Sequence, residues 1–395
     1  MIRSTVILIV LFNMILSPAN QTSASELEDR YPSFSWDTVP LYMHIRKATS
    51  FNAEELSFIS QFPLITFEKA TGHLDHGSVE AGTLVAAKAI KQLNPATKIL
   101  CYRNVFVHYS NYASNEKLDR IDGGLLVDLN SGSNKLVRNR VPAYDLSNPD
   151  VRNWWIDSCL TMTQQPAIDG LFIDGNIKAL ENGYLKSQIG AEKKLAVKEG
   201  YLTLMERTRK AVGEDKILVA NLIRARFPQA GLEYMNYFDG SYLENFFHNI
   251  GNTTYAEYAS KGIEAVQKAG NDGKIIAFST AYQVPQQSDN KLSTIRDIDD
   301  QIKMIETDEE ARKEMLYCLA TFLICAEQYS YFRCDGYSAD NKTNWNRWYP
   351  EFDKPLGPPQ GRATRNGYEF TRRFEHASVW LDVEHGKSKI QWLQD

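Results

Sequence analysis

The chain has 395 residues and a formal net charge of −5, with acidic and basic side chains interspersed. No basic stripe runs along it, which disfavours nucleic acid and anionic membrane surfaces as partners. The length is too great for a single β-sandwich and ordinary for an α/β barrel carrying long loops.

Residues 1–24 read as an export signal. Arg3 supplies a positive start, Thr5 to Leu16 form an apolar run broken by Asn13, and Thr22-Ser23-Ala24 offer a small-residue cleavage site. The run is shorter than the ~20 residues that span a bilayer. The expected product is secreted or periplasmic and free of the membrane after cleavage. Residues 25–365 then alternate short apolar runs with helix-period segments, the pattern of βα units around a parallel sheet. Strands are expected at 41–45, 63–68, 98–104, 170–176, 216–222, 239–245, 274–280 and 329–335. Helices are expected after Ser78 through Leu93, from Ser147-Asn148-Pro149 through Trp154 and Trp155, and over 185–212, 254–269 and 308–327.

Eight such units favour a (β/α)8 TIM barrel over a doubly wound sheet. No Gly-rich turn follows the first strand, and neither a phosphate-binding loop nor a GxSxG elbow occurs. Segments 105–147 and 336–363 follow strands 3 and 8 and are long enough to wall the catalytic face. The tail, 366–395, alternates in period two around His385-Gly386 and reads as a small C-terminal β-hairpin rather than an eighth helix. The five Cys form no CxxC pair and read mostly as small buried hydrophobes; an oxidising compartment permits one disulfide and leaves at least one thiol free. Sequons stand at Asn20, Asn252 and Asn341.

A carboxylate as the last inward residue of a barrel strand is the feature most informative about chemistry. In GLFIDGN, Leu171 and Ile173 share one face, and Phe172 and Asp174 the other. In DGSYLEN, Gly240, Tyr242 and Glu244 share a face. The aliphatic face meets the helices, so Asp174 and Glu244 point into the mouth from strands 4 and 6. Glycoside hydrolysis needs such a pair, one group protonating the leaving oxygen while the other attacks or activates water. Glu244, the longer, suits the general acid and Asp174 the nucleophile or base. The competing structural roles are a turn cap for Asp174 and an Arg pair for Glu244.

Glu68, Tyr102, Asn104, Asn221, Tyr242 and Asp335 are the other strand-end candidates for binding substrate. Trp345 and Trp348, in the polar stretch NWNRWYPEF, either form sugar platforms or cover a loop core. His73, Asp75 and His76 of GHLDH match no strong zinc spacing. No metal or cofactor is therefore expected, and the partner is a poly- or oligosaccharide. A barrel that binds carbohydrate without turnover is the alternative.

The segments FPLITFEKATG, ILCYRNVFVHYSNY, YDLSNPDVRNWWID, GLFIDGN and DGSYLEN together resemble the glycosyl-hydrolase-like barrels of hypothetical glycosyl hydrolase family fifteen. The resemblance extends from the first expected strand to the C-terminus. It implies a TIM-barrel glycosidase with acids at the ends of strands 4 and 6, here Asp174 and Glu244. PLGPPQG followed by TRRFEHASVWLDV resembles the tail of related barrel glycosidases.

Overall fold

The computed structural model describes residues 29–244, 253–279, 308–334, 336–340 and 345–393; residues 1–24, expected to be an export signal, the three sequon asparagines and Asp335 lie outside them. Eight parallel strands pair in sequence order. They are β1 (Tyr42–Ile45), β2 (Leu64–Phe67), β3 (Lys98–Asn104), β4 (Gly170–Asp174), β5 (Ile217–Asn221), β6 (Gly240–Glu244), β7 (Ile275–Ser279) and β8 (Ser330–Arg333). The ring closes where Leu41 bridges Phe332, whose N–H donates to the Pro40 carbonyl at 2.8 Å. This is the expected (β/α)8 barrel.

Period-two alternation divides the strand residues between two cores. Tyr42, Leu64, Leu100, Phe172, Val219, Tyr242, Ala277 and Tyr331 fill the interior, which is therefore packed rather than a pore. Met43, Ile65, Cys101, Leu171, Leu218 and Phe332 turn outward into the larger layer shared with the helices.

The helices begin where side chains satisfy their first N–H groups. In α1 (Ala53–Ile59), which was not among the expected helices, Asn52 and Glu55 form a reciprocal capping box at 2.9 and 2.7 Å. Ser78 caps α2 (Val79–Leu93), and Asn148 with Pro149 opens α3 (Pro149–Thr163). The helix expected over 185–212 is broken at Gly190 (φ 81, ψ 161) into a short turn, Lys186–Ile189, and α4 (Ala191–Val212). The connection from β5 to β6 holds only a 3-10 turn, Leu232–Tyr237. A second capping box, Thr254 with Glu257, starts α5 (Tyr255–Asn271), and α6 (Asp308–Cys325) precedes β8. Among the described residues no helix is long and apolar enough to cross a membrane.

The expected terminal hairpin belongs to a larger unit. β9 (Thr364–Asn366), β10 (Glu369–Arg373), β11 (Ala377–Asp382) and β12 (Lys387–Trp392) form an antiparallel sheet, with the β11–β12 turn at Gly386 (φ 62). The sheet packs on α6 through Phe370, Val379 and Leu381. Arg372 bolts it there. Its guanidinium, almost fully buried, donates to the carbonyls of Leu323 (3.2 Å) and Ala326 at the end of α6 and pairs with Glu327 at 3.1 Å. Arg372→Ala strands those acceptors and a carboxylate, and is expected to cost about 3 kcal/mol, measured as a lower urea midpoint. All five Cys are buried free thiols, and burial pushes the Cys159 thiol up to about 12.

Candidate active site

Strand parity brings the two acids together. Phe172 points into the barrel one layer below Asp174, and Tyr242 does the same below Glu244. The register pairs Asn104 with Asp174 and Asn221 with Tyr242, so both amides reach the same level of the mouth. Gly175 (φ 85) then turns the chain away. A Cβ on it would fall 2.4 Å from Asn104 Oδ1, so glycine lets Asn104 lie against Asp174.

Hydrogen bonds hold Asp174 at both oxygens. The Tyr102 hydroxyl donates to Oδ2 at 2.6 Å, and Asn104 Nδ2 donates to the same oxygen at 3.2 Å and to the Tyr102 hydroxyl at 3.0 Å. Asn104 Oδ1 accepts from the Phe106 and Val107 N–H groups at 2.9 and 2.6 Å, which fixes its amide the right way round. Asn221 Nδ2 donates to Asp174 Oδ1 at 3.1 Å and to Glu244 Oε2 at 2.9 Å, so one amide nitrogen bridges the two acids. Arg224 clamps Glu244 Oε2 at 2.9 Å. Among the described residues nothing donates to Glu244 Oε1, and this side chain is 43% exposed.

Burial alone would raise the Asp174 carboxyl. The ammonium groups of Lys178 and Lys69, the Tyr102 hydroxyl and the Gly175 N–H outweigh it and hold Asp174 below the ordinary value of 3.8. Burial, reinforced by the charge on Asp174, keeps the Tyr102 phenol well above its usual range, so it remains a donor. A carboxyl depressed in this way contributes stability above its unfolded value and loses it as pH falls through the folded one. Lys178→Met is expected to raise the Asp174 pKa, moving the acidic limb of kcat/KM upward and narrowing the acid-stable range. A pH–rate profile with parallel melts checks both.

The expected binding residues fall into three groups. Tyr102, Asn104 and Asn221 contact the acids directly. Tyr242 lies beneath, stacked on His44 at 5.2 Å and edge-on to Phe172 at 5.1 Å. Glu68 is buried beside them and pairs with Lys69, whose ammonium sits 5.1 Å from the Tyr102 ring centre and 5.4 Å from that of Tyr109.

The third group stands apart. Trp345 and Trp348 pack edge-on against Phe58, in the last turn of α1, at 5.6 and 6.2 Å. Trp348 also meets Phe62, just before β2. That is the N-terminal end of the barrel, opposite the acids, so these indoles cover a helix core and do not line the mouth. Asp335 lies outside the described residues. The GHLDH loop forms a short turn tied to its neighbours. Asp75 accepts from the Ser50 N–H at 2.7 Å, His76 meets the Ser50 hydroxyl at 3.0 Å and His73 the Ala70 carbonyl at 2.7 Å. Among the described residues no group of His, Cys, Asp or Glu is arranged to hold a metal ion.

Sequence reasoning missed His44, Lys69, Lys178 and Arg224. His44 shares the inward face of LYMHI with Tyr42 and was readable by parity. Lys69 and Arg224 lie on loops beyond the strand ends and Lys178 in a short helix, Asn176–Leu180, where no strand period reveals direction.

A parallel eight-stranded α/β barrel with two bridged acids at its strand ends has the parts that glycoside hydrolysis requires. Residues 91–378 match the model described as hypothetical glycosyl hydrolase family 15, and the chain belongs to that family. None of the curated proteins matches the sequence. Similar solved structures include a xylosidase from Aspergillus niger, at 12% identity and TM-score 0.44 over 79% of this chain and 45% of that one. An Anoxybacillus alpha-amylase matches at 12% and 0.47, over 88% of this chain and 87% of that one. A GH36 alpha-galactosidase from Geobacillus stearothermophilus matches at 11% and 0.47, over 89% and 48%. The chain thus spans about half the length of the xylosidase and the galactosidase.

Proposed function

We propose that the protein is an exported, retaining O-glycoside hydrolase of a poly- or oligosaccharide, with Asp174 as nucleophile and Glu244 as acid and base. The bridging Asn221 amide carries this reading. Its bonds of 3.1 and 2.9 Å limit the gap between the nearest carboxylate oxygens to less than the two lengths laid end to end. Nearest oxygens this close support the ~5–5.5 Å carboxyl separation of retaining enzymes over the wider ~6.5–9.5 Å of inverting ones.

The difference between the acids supports their roles. Asp174 is held ionised with both oxygens engaged, as suits an oriented nucleophile. Among the described residues no group donates to Glu244 Oε1, which leaves that oxygen to serve in proton transfer. In the first step Asp174 bonds to the anomeric carbon while Glu244 gives its proton to the departing glycosidic oxygen. In the second, Glu244 takes a proton from water as that water attacks the anomeric carbon, and Asp174 leaves. The apolar run from Thr5 to Leu16 supports export.

The test is reducing-sugar release across a polysaccharide panel, followed by proton NMR of the first-formed anomer. Retained configuration is expected. An inverted product overturns the nucleophile role, and binding without release on any glycan favours a carbohydrate-binding barrel.

A further inference from the structure

The face of the C-terminal sheet turned away from α6 carries a groove of about 490 Å³, within the range of small-ligand sites. The sheet and α6 separate it from the barrel interior. Register explains its lining. Thr371, Trp380 and Lys389 are cross-strand neighbours, as are Arg373, Ser378 and Gln391, so period-two alternation puts both rows on the outward face. Residues 360–362 form one wall, held by the Gln360 N–H donating to the Arg373 carbonyl at 2.9 Å.

The chemistry of this face is uneven. Arg362, Arg373 and Lys389 all line the groove, and no carboxylate does. None of the three makes an ion pair among the described residues, although the chain as a whole carries a net charge of −5. The half-buried Trp380 ring lies among them, steadied by its indole N–H donating to Glu369 at 3.0 Å. Three cations line the groove while the carboxylate beside it, Glu369, is engaged by the Trp380 indole, and that excess favours an anionic occupant. A fixed indole with Gln391 and Thr371 beside it suits a sugar ring and its hydroxyls.

We infer that this groove is a second glycan-binding site, independent of the barrel mouth, that takes an acidic oligosaccharide. The cations meet the carboxylate or sulfate groups and Trp380 covers a sugar face. A nucleic acid fits less well, because the cations form a compact cluster rather than a track along a backbone.

Calorimetry on the full chain tests this with oligogalacturonate, dextran sulfate, neutral dextran and a DNA duplex as probes. At least one acidic glycan is expected to bind, neutral dextran and DNA far less. Binding should persist in Asp174→Asn. It should weaken about tenfold or more in Trp380→Ala and in the Arg373→Glu, Lys389→Glu double variant, with circular dichroism and hydrolysis of short substrates unchanged in both. Failure of both acidic glycans to bind overturns the proposal. So does equal binding by folded variants, and so does equal binding of DNA. None of these results bears on the barrel acids, whose own test is hydrolysis.

Discussion

Asp174→Asn is expected to lower turnover by on the order of 10³–10⁴-fold or more, with the fold retained. A factor of 10⁴ corresponds to about 5.5 kcal/mol of barrel-mouth transition-state stabilisation. The neutral amide cannot bond covalently to the anomeric carbon as the carboxylate does. A smaller structural effect accompanies the loss. Both Asp174 oxygens accept hydrogen bonds, from Asn221 on one side and from Tyr102 and Asn104 on the other. An amide nitrogen in either place faces a donor, which costs about 1–3 kcal/mol. Melting temperature is therefore expected to fall modestly while turnover nearly vanishes, and kcat measured at a temperature where circular dichroism shows the variant folded separates the two. Azide sharpens the assignment. In Asp174→Ala a bound azide displaces the leaving group once, giving a glycosyl azide of inverted configuration. Near-native hydrolysis by either variant removes Asp174 from the chemistry.

Period-two alternation made the barrel legible, because each strand is covered on both faces and its two cores differ in chemistry. Leu171 and Ile173 face the helices and Phe172 the interior, and the same alternation aimed Asp174 and Glu244 into the mouth. The C-terminal sheet was only half readable. Its last hairpin alternates clearly, whereas β9 and β10 are joined by the two-residue turn Gly367-Tyr368, whose one signal in the sequence is the glycine at its first position (φ 61). Periodicity is silent about where loops return. Trp345 and Trp348 look like sugar platforms because their neighbours in sequence are polar, yet the segment runs down to the far end of α1 and Phe58 receives them. Lys178, Lys69 and Arg224 set the charge around the acids from the short helix after β4 and the loops after β2 and β5, so only their neighbours in space reveal them.

Glu244→Gln is expected to divide substrates by their leaving group. A sugar alkoxide must be protonated to leave, so ordinary saccharides should lose about 10²–10⁴-fold in turnover. A dinitrophenyl glycoside of the same sugar leaves unaided, so its first step should stay near the wild-type rate. Its second step lacks a base to activate water, and the glycosyl ester on Asp174 should build up as a burst of released phenol. The substitution is also gentler on the fold than Asp174→Asn. Arg224 and Asn221 both donate to Oε2, while Oε1 accepts no hydrogen bond among the described residues. Glutamine can keep its oxygen toward those donors and turn its nitrogen outward. Azide should then restore turnover of the aryl glycoside and yield a product of retained configuration, because it intercepts the intermediate after one inversion. Equal losses on both substrates, with no burst, place Glu244 outside proton transfer and leave Arg224 as its structural partner.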